Sequence, residues 1–142
     1  MGVRVTPAYP AAFLDTSVLI DPPEDIGSYA EQFAVSVVSI AELASGLNVP
    51  VDPVERVARQ ERFAAILSTY RITPYSLAAA RRYGALCDVT RESGLNPRPR
   101  RFDLLLASVA IQAGLPLLTR NPDDFAHLHR SLVVVPVPAS LS

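Results

Sequence analysis

Four short apolar runs set the rhythm of the chain. Ala11–Asp15 is apolar until it stops at a carboxylate, and Phe33–Val38 is rich in β-branched residues. Leu115–Thr119 and Ser131–Val137 come late, the last closed by Pro136 and Pro138. Runs of this length, apolar on successive residues, predict strands buried on both faces of a parallel sheet. Between them the period changes. Phe63, Ile66, Leu67 and Tyr70 fall at i, i+3, i+4 and i+7, with Glu55, Arg56, Arg59 and Glu61 as the polar dressing of the same helix. Tyr83, Leu86, Cys87 and Thr90 repeat that spacing in a helix that begins after Pro74 near Ser76, across a short break at Arg71–Tyr75. Leu104, Leu105, Leu106, Val109, Ala110 and Ile111 cover nearly every face of a third, which predicts a buried helix ending at Gly114. The resulting order, β-α-β-α-α-α-α-β-α-β, predicts an α/β fold: a three-layer sandwich with a short central parallel sheet flanked by helices. One domain spans 11–138. Residues 1–10 are expected as a lead-in opposed to regular structure by Pro7 and Pro10, and 139–142 as a tail.

In such sheets the functional crevice lies outside the carboxyl ends of the strands. Four places offer chemistry there: Asp15 in FLDTS, Glu42 in SIAEL, Asp103 in RRFDLLLASVA, and Asn121, Asp123 and Asp124 in LLTRNPDDF. Each also has a purely structural reading. Ser39 and Glu42 have the spacing of a capping box. Asp103 suits the positive end of a helix, and Asn121-Pro122-Asp123-Asp124 reads as an N-cap, a proline at N1 and acids in the first turn. Asp15-Thr16-Ser17 suits the cap of a short turn or helix. Together, however, these positions share one edge of the sheet. Converging carboxylates repel one another unless a cation neutralises them. An all-oxygen donor set suits Mg²⁺ or Mn²⁺, and such an ion activates water against a phosphodiester.

Composition narrows the field. All 13 basic residues are arginine, so a P-loop lysine, a Schiff-base lysine and a receiver-domain lysine are excluded. One cysteine, Cys87, permits neither an internal disulfide nor a thiolate zinc cage, and reads as a small buried hydrophobe. His127 and His129 are expected at the surface, after the NPDDF turn. The net charge of −1 supplies no global field for nucleic acid, so any RNA contact falls to local patches. Without an apolar run of about 18 residues there is no membrane span, and a soluble, cytoplasmic protein is expected. A haloacid-dehalogenase phosphatase needs a second aspartate where Ser17 stands and a later lysine. A dinucleotide binder needs a glycine-rich turn that Asp15-Thr16-Ser17-Val18 does not provide.

FLDTSVLI, SVVSIAELASGL and RRFDLLLASVAIQAGLPLLTRNPDDF, in this order, resemble the PIN-domain family, especially the VapC toxins of bacterial toxin–antitoxin pairs; the resemblance covers roughly residues 12–137. It implies a magnesium-dependent endoribonuclease silenced by a small antitoxin. The family's first acid maps onto Asp15, its glutamate onto Glu42, its third acid onto Asp103, and its fourth onto Asn121. That last is a departure, since an amide brings no charge; Asp124 is a substitute and Asp123 a weaker one. In the implied chemistry Asp15 and Asp103 hold Mg²⁺ directly. Glu42 binds through water or orients the attacking water, and Thr16, Ser17 or Thr119 supports the ligand carboxylates. One ion or two is left open, as is a catalytically weak or inactive PIN-like module that binds RNA or a partner without cutting.

Arg98, Arg100 and Arg101, spaced by Pro97 and Pro99 just before Asp103, read either as a grip on RNA phosphates or as a solvated loop. Arg91 and Arg120 are supporting candidates. The resemblance further suggests that helices within 53–93 form an antitoxin groove and contribute to a homodimer, with Tyr29, Tyr70, Tyr75 and Tyr83 as aromatic candidates.

Overall fold

A computed structural model of the chain describes residues 6–139. Residues 1–5 of the expected lead-in and 140–142 of the expected tail lie outside the described residues. Five parallel strands, β1 (Tyr9–Leu14), β2 (Ala30–Ser36), β3 (Ile72–Thr73), β4 (Leu117–Thr119) and β5 (Val134–Pro136), form one sheet in the order β3-β2-β1-β4-β5. The helices are α1 (Thr16–Ile20), α2 (Val37–Gly46), α3 (Pro53–Thr69), α4 (Leu77–Glu92) and α5 (Arg101–Ala113), and a 3₁₀ helix covers Pro122–Leu128. No helix among the described residues is long and apolar enough to cross a membrane.

Alternation along the central strands explains the three layers. Phe13 pairs in register with Ala34 on one side and Leu117 on the other, and these pack with α4, α5 and the 3₁₀ helix. Ala12, Leu14, Val35 and Leu118 point to the opposite face, where Val18, Leu19 and Ile66 cover them. Both faces are therefore dry, which is why the strands read as continuous apolar runs. The buried α5 ends as predicted: Gly114 adopts φ 68°, and the Leu115 N–H closes onto the Ala110 carbonyl at 3.0 Å.

Several elements differ from the sequence expectation. Strand β1 begins within the expected lead-in and contains Pro10. Strand β2 begins three residues early, taking in exposed Glu31 and Gln32, because Tyr9 and Ala11 of β1 supply its parallel partners. It ends at Ser36, whose hydroxyl accepts from the Val38 N–H at 3.0 Å. Ser36, and not Ser39, therefore caps α2, and the expected capping box is corrected: Ser39 lies inside the helix, buried. Strand β3, two residues before Pro74, fills the expected break and edges the sheet through Val35 and Ser36. Helix α3 buries only Ile66 fully and leaves Leu67 45% exposed, so it is a peripheral helix and not a core one.

Candidate active site

Asp15 ends β1 and starts α1. Its backbone N–H donates to the Leu118 carbonyl at 2.9 Å, which locks it to β4, and its carbonyl accepts from Val18 and Leu19. The carboxylate is buried and three donors fix it. The Thr16 N–H reaches Oδ1 at 2.9 Å; the Ser17 and Thr119 hydroxyls reach Oδ2 at 2.8 and 2.7 Å. Both hydroxyls are themselves oriented, since Ser17 Oγ accepts from the Arg120 N–H at 3.1 Å and Thr119 Oγ1 from the Asn121 N–H at 3.0 Å. A carboxylate bound this way is the cap of α1 and is also held in one rotamer, while its oxygens keep spare acceptor capacity.

Asp103 lies in the first turn of α5 and is half-buried. Burial pushes its carboxyl from the usual 3.8 up to about 7, and the negative charges of Asp15, Asp124 and Glu42 push the same way; Arg100 pulls it back in part. Four acids from four elements thus share one electrostatic neighbourhood at the carboxyl edge of the sheet. Helix α2 packs on α5, bringing Glu42 across. Of the residues after β4, Asp124 belongs to this neighbourhood by its charge. Asn121 is exposed and its side chain caps nothing; its N–H serves Thr119.

The oxygen-only donor set and its mutual repulsion are what a divalent cation would relieve. Among the described residues, nevertheless, no three acidic, histidine or cysteine side chains form a ready-made metal cage. Asp15 turns its oxygens to its three donors.

The basic candidates separate. Arg100 is half-buried and its charge acts on Asp103. Arg98 and Arg101 are exposed, and Arg101 is tied to the Arg98 carbonyl at 3.0 Å and stacked on Phe102. Arg91 makes an exposed pair with Asp88 at 3.1 Å. The guanidinium of Arg120, a supporting candidate for phosphate contact, donates to the carbonyls of Asp21 and Pro138. Cys87 is a buried free thiol, as expected. His129 is exposed, but His127 is half-buried, with Nε2 3.0 Å from Thr90 Oγ1. Ser39 Oγ is the one buried side-chain polar atom found without a partner among the described residues, one turn before Glu42 on α2. The sequence marked Ser39 only as a cap, a role that Ser36 takes.

A group of acids at the carboxyl edge of a short parallel sheet defines a class of protein, and the comparisons agree with it. The PIN domain matches residues 12–130. VapBC-5 of Mycobacterium tuberculosis, described as a member of the VapBC family of toxin–antitoxin systems, is 30% identical, with 92% of this chain and 99% of that one covered and a TM-score of 0.77. A toxin–antitoxin complex from Klebsiella pneumoniae is 27% identical over 90% and 99% of the two chains, with a TM-score of 0.62. VapBC2 from Rickettsia felis, solved with a promoter DNA fragment, shares the fold at 24% identity over 89% and 98%, with a TM-score of 0.70. No curated protein matches the chain significantly. The chain belongs to the PIN-domain family, in its VapC-type branch.

Proposed function

We propose that the protein is a Mg²⁺-dependent endoribonuclease, with Mn²⁺ able to substitute, and the toxin of a toxin–antitoxin pair. The single observation that carries this reading is the Asp103 carboxyl, which burial first, and then the charges of Asp15, Asp124 and Glu42, raise to about 7. Asp15 and Asp103 would hold the ion, with Glu42 and Asp124 completing the oxygen set. Bound there, Mg²⁺ supplies a lowered water pKa and neutralises charge on the phosphodiester. The residues of the chain do the rest. Thr16, Ser17 and Thr119 keep the Asp15 carboxylate in one orientation, so it is organised before substrate arrives. Asp103 would serve the ion as a carboxylate. Glu42 orients the attacking water and accepts its proton at a carboxylate oxygen. Arg100 grips a phosphate beside the cut, with Arg98 and Arg101 as outer contacts of the same strand.

A cavity of about 380 Å³ between α1, α2 and α3 is the seat we assign to the antitoxin. Ile20, Leu43, Leu47 and Phe63 give it an apolar floor, Arg62 flanks it, and Glu42 and Thr16 close its end towards the acids. An antitoxin segment lying there would cover the approach to the site, consistent with relatives solved as toxin–antitoxin complexes. Homodimerisation in the manner of the family accompanies this reading.

The test is RNA cleavage by the purified chain with Mg²⁺, with EDTA, and by Asp15→Asn. Cleavage that needs the metal and disappears in the variant is expected. An Asp15→Asn protein that cuts at the wild-type rate overturns the assignment.

A further inference from the structure

A second cavity, of about 370 Å³, lies between the C-terminal end of α4 and the far end of the 3₁₀ helix. Helices α4 and α5 pack against each other and are joined by residues 93–100, so this end of α4 meets the end of α5 that carries Asp103. The 3₁₀ helix makes the link tighter. Residues at i and i+3 eclipse in such a helix and stand about 6 Å apart along it, so His127 follows Asp124 on the same face. Arg100 acts through its charge on both Asp103 and His127. The cavity is thus one step along the surface from the acids, and the Arg100 charge is felt at both.

Its polar lining is rich in acceptors, and the hydrogen bonds say why. Thr90 spends its hydroxyl proton on the Leu86 carbonyl at 2.7 Å, so in the contact with His127 the Nε2–H must donate. Burial and the Arg100 charge lower the His127 pKa, favouring the neutral ring. Nδ1 is then an acceptor, and it has no partner among the described residues. His129 donates from Nδ1 to the Ala126 carbonyl at 3.1 Å, leaving Nε2 as an acceptor. Ser93 Oγ donates to the Val89 carbonyl at 2.9 Å and keeps its lone pairs. Glu92 adds a carboxylate and Arg130 a guanidinium, over apolar walls from Val89 and Leu128.

Resting on the ribonuclease reading, we infer that this cavity receives a nucleobase of the RNA next to the cut and selects guanine over uracil. Guanine presents N1–H and N2–H₂ donors to His127 and Glu92 while its O6 accepts from Arg130; uracil offers one N–H between two carbonyls. Apolar walls suit the faces of a base that has left its stack.

The experiment has two arms on the full chain. In the first, wild type, His127→Ala and Glu92→Gln cut a randomised RNA pool with Mg²⁺, and the bases flanking the cut are counted. Wild type should prefer guanine over uracil at one flanking position by about tenfold or more in kcat/KM, as a good bidentate contact supports, and both variants should lose most of that ratio. In the second, GMP and UMP are titrated into Asp15→Asn protein while the His127 ring is followed by NMR; GMP should shift it and UMP should not. Cleavage without guanine preference, or a preference that survives both variants, overturns the inference. If no RNA is cut but GMP still shifts the His127 ring, the ribonuclease reading fails and the base pocket stands. If neither happens, both are overturned.

Discussion

Replacing Asp103 by asparagine should stabilise the metal-free protein above neutral pH while removing its use for a metal. The carboxyl titrates at about 7 in the fold against 3.8 ordinarily. At about 1.36 kcal/mol per pH unit, this interval corresponds to roughly 4 kcal/mol. Solvent reaches the half-buried side chain and screens its neighbours, so about half of that, ~2 kcal/mol, is the working expectation. The sign follows from proton binding. Between pH 4 and 7 the folded state holds this proton more tightly than the unfolded chain, so the Asp103 contribution falls as pH rises, and above 7 the full cost is present. Asp103→Asn carries no charge and escapes it. In EDTA at pH 8 the variant should therefore melt about 6 °C above wild type, a gap that narrows towards pH 4. Mg²⁺ should reverse the order. At a hundredfold excess over Kd it adds about 2.7 kcal/mol to wild type and little to the variant, and below pH 7 protons compete with the ion for Asp103. Thermal melts at pH 4 to 8, with EDTA and with Mg²⁺, read all of this. An Asp103→Asn protein that melts at or below wild type in EDTA at pH 8 would refute the reasoning.

Thr119→Val removes a 2.7 Å donor from Asp15 and the acceptor of the Asn121 N–H, and should cost about 2 kcal/mol in urea titrations and lower Mg²⁺ affinity. Arg120→Ala frees the carbonyls of Asp21 and Pro138 and should lose on the order of 1–3 kcal/mol without changing how RNA affinity depends on salt; a flatter salt dependence would restore it as a phosphate contact. Ser39→Ala removes the unpartnered hydroxyl, so its melting point should stay level or rise by up to about 1 kcal/mol equivalent; a clear fall would show that the hydroxyl has a partner in solution. Asp124→Asn should reduce Mg²⁺-dependent cleavage well below the level of Asn121→Ala, and the reverse ranking, measured as initial rates, would return the fourth position to Asn121.

Much of the fold was legible because burial writes itself into short-range pattern. The strands around Phe13 and Leu118, the α4 stripe of Leu86, Cys87 and Thr90, and the wholly apolar α5 ending at Gly114 all follow from which residues must avoid water. Strand β3 was not legible, because two residues carry no period and become a strand only when Val35 and Ser36 lie alongside. The start of β2 was hidden for the same reason, since Glu31 and Gln32 are strand by pairing and not by composition. Ser39 matched a capping pattern that Ser36 fulfils, a contest settled by where the backbone leaves the sheet.

What the sequence determined by itself is a set of candidate acids, Asp15, Glu42, Asp103, Asp123 and Asp124, read onto one edge of a parallel sheet. Asp15 at the end of β1 was readable because an apolar run that stops at an acid marks where the strand ends. Tertiary structure alone decided the rest. It brought the charge of Asp124 to bear on Asp103, spent the Arg120 guanidinium on two carbonyls, and set His127 against Thr90 beside a cavity. Those choices depend on distances between residues far apart in the chain, and no local pattern encodes them.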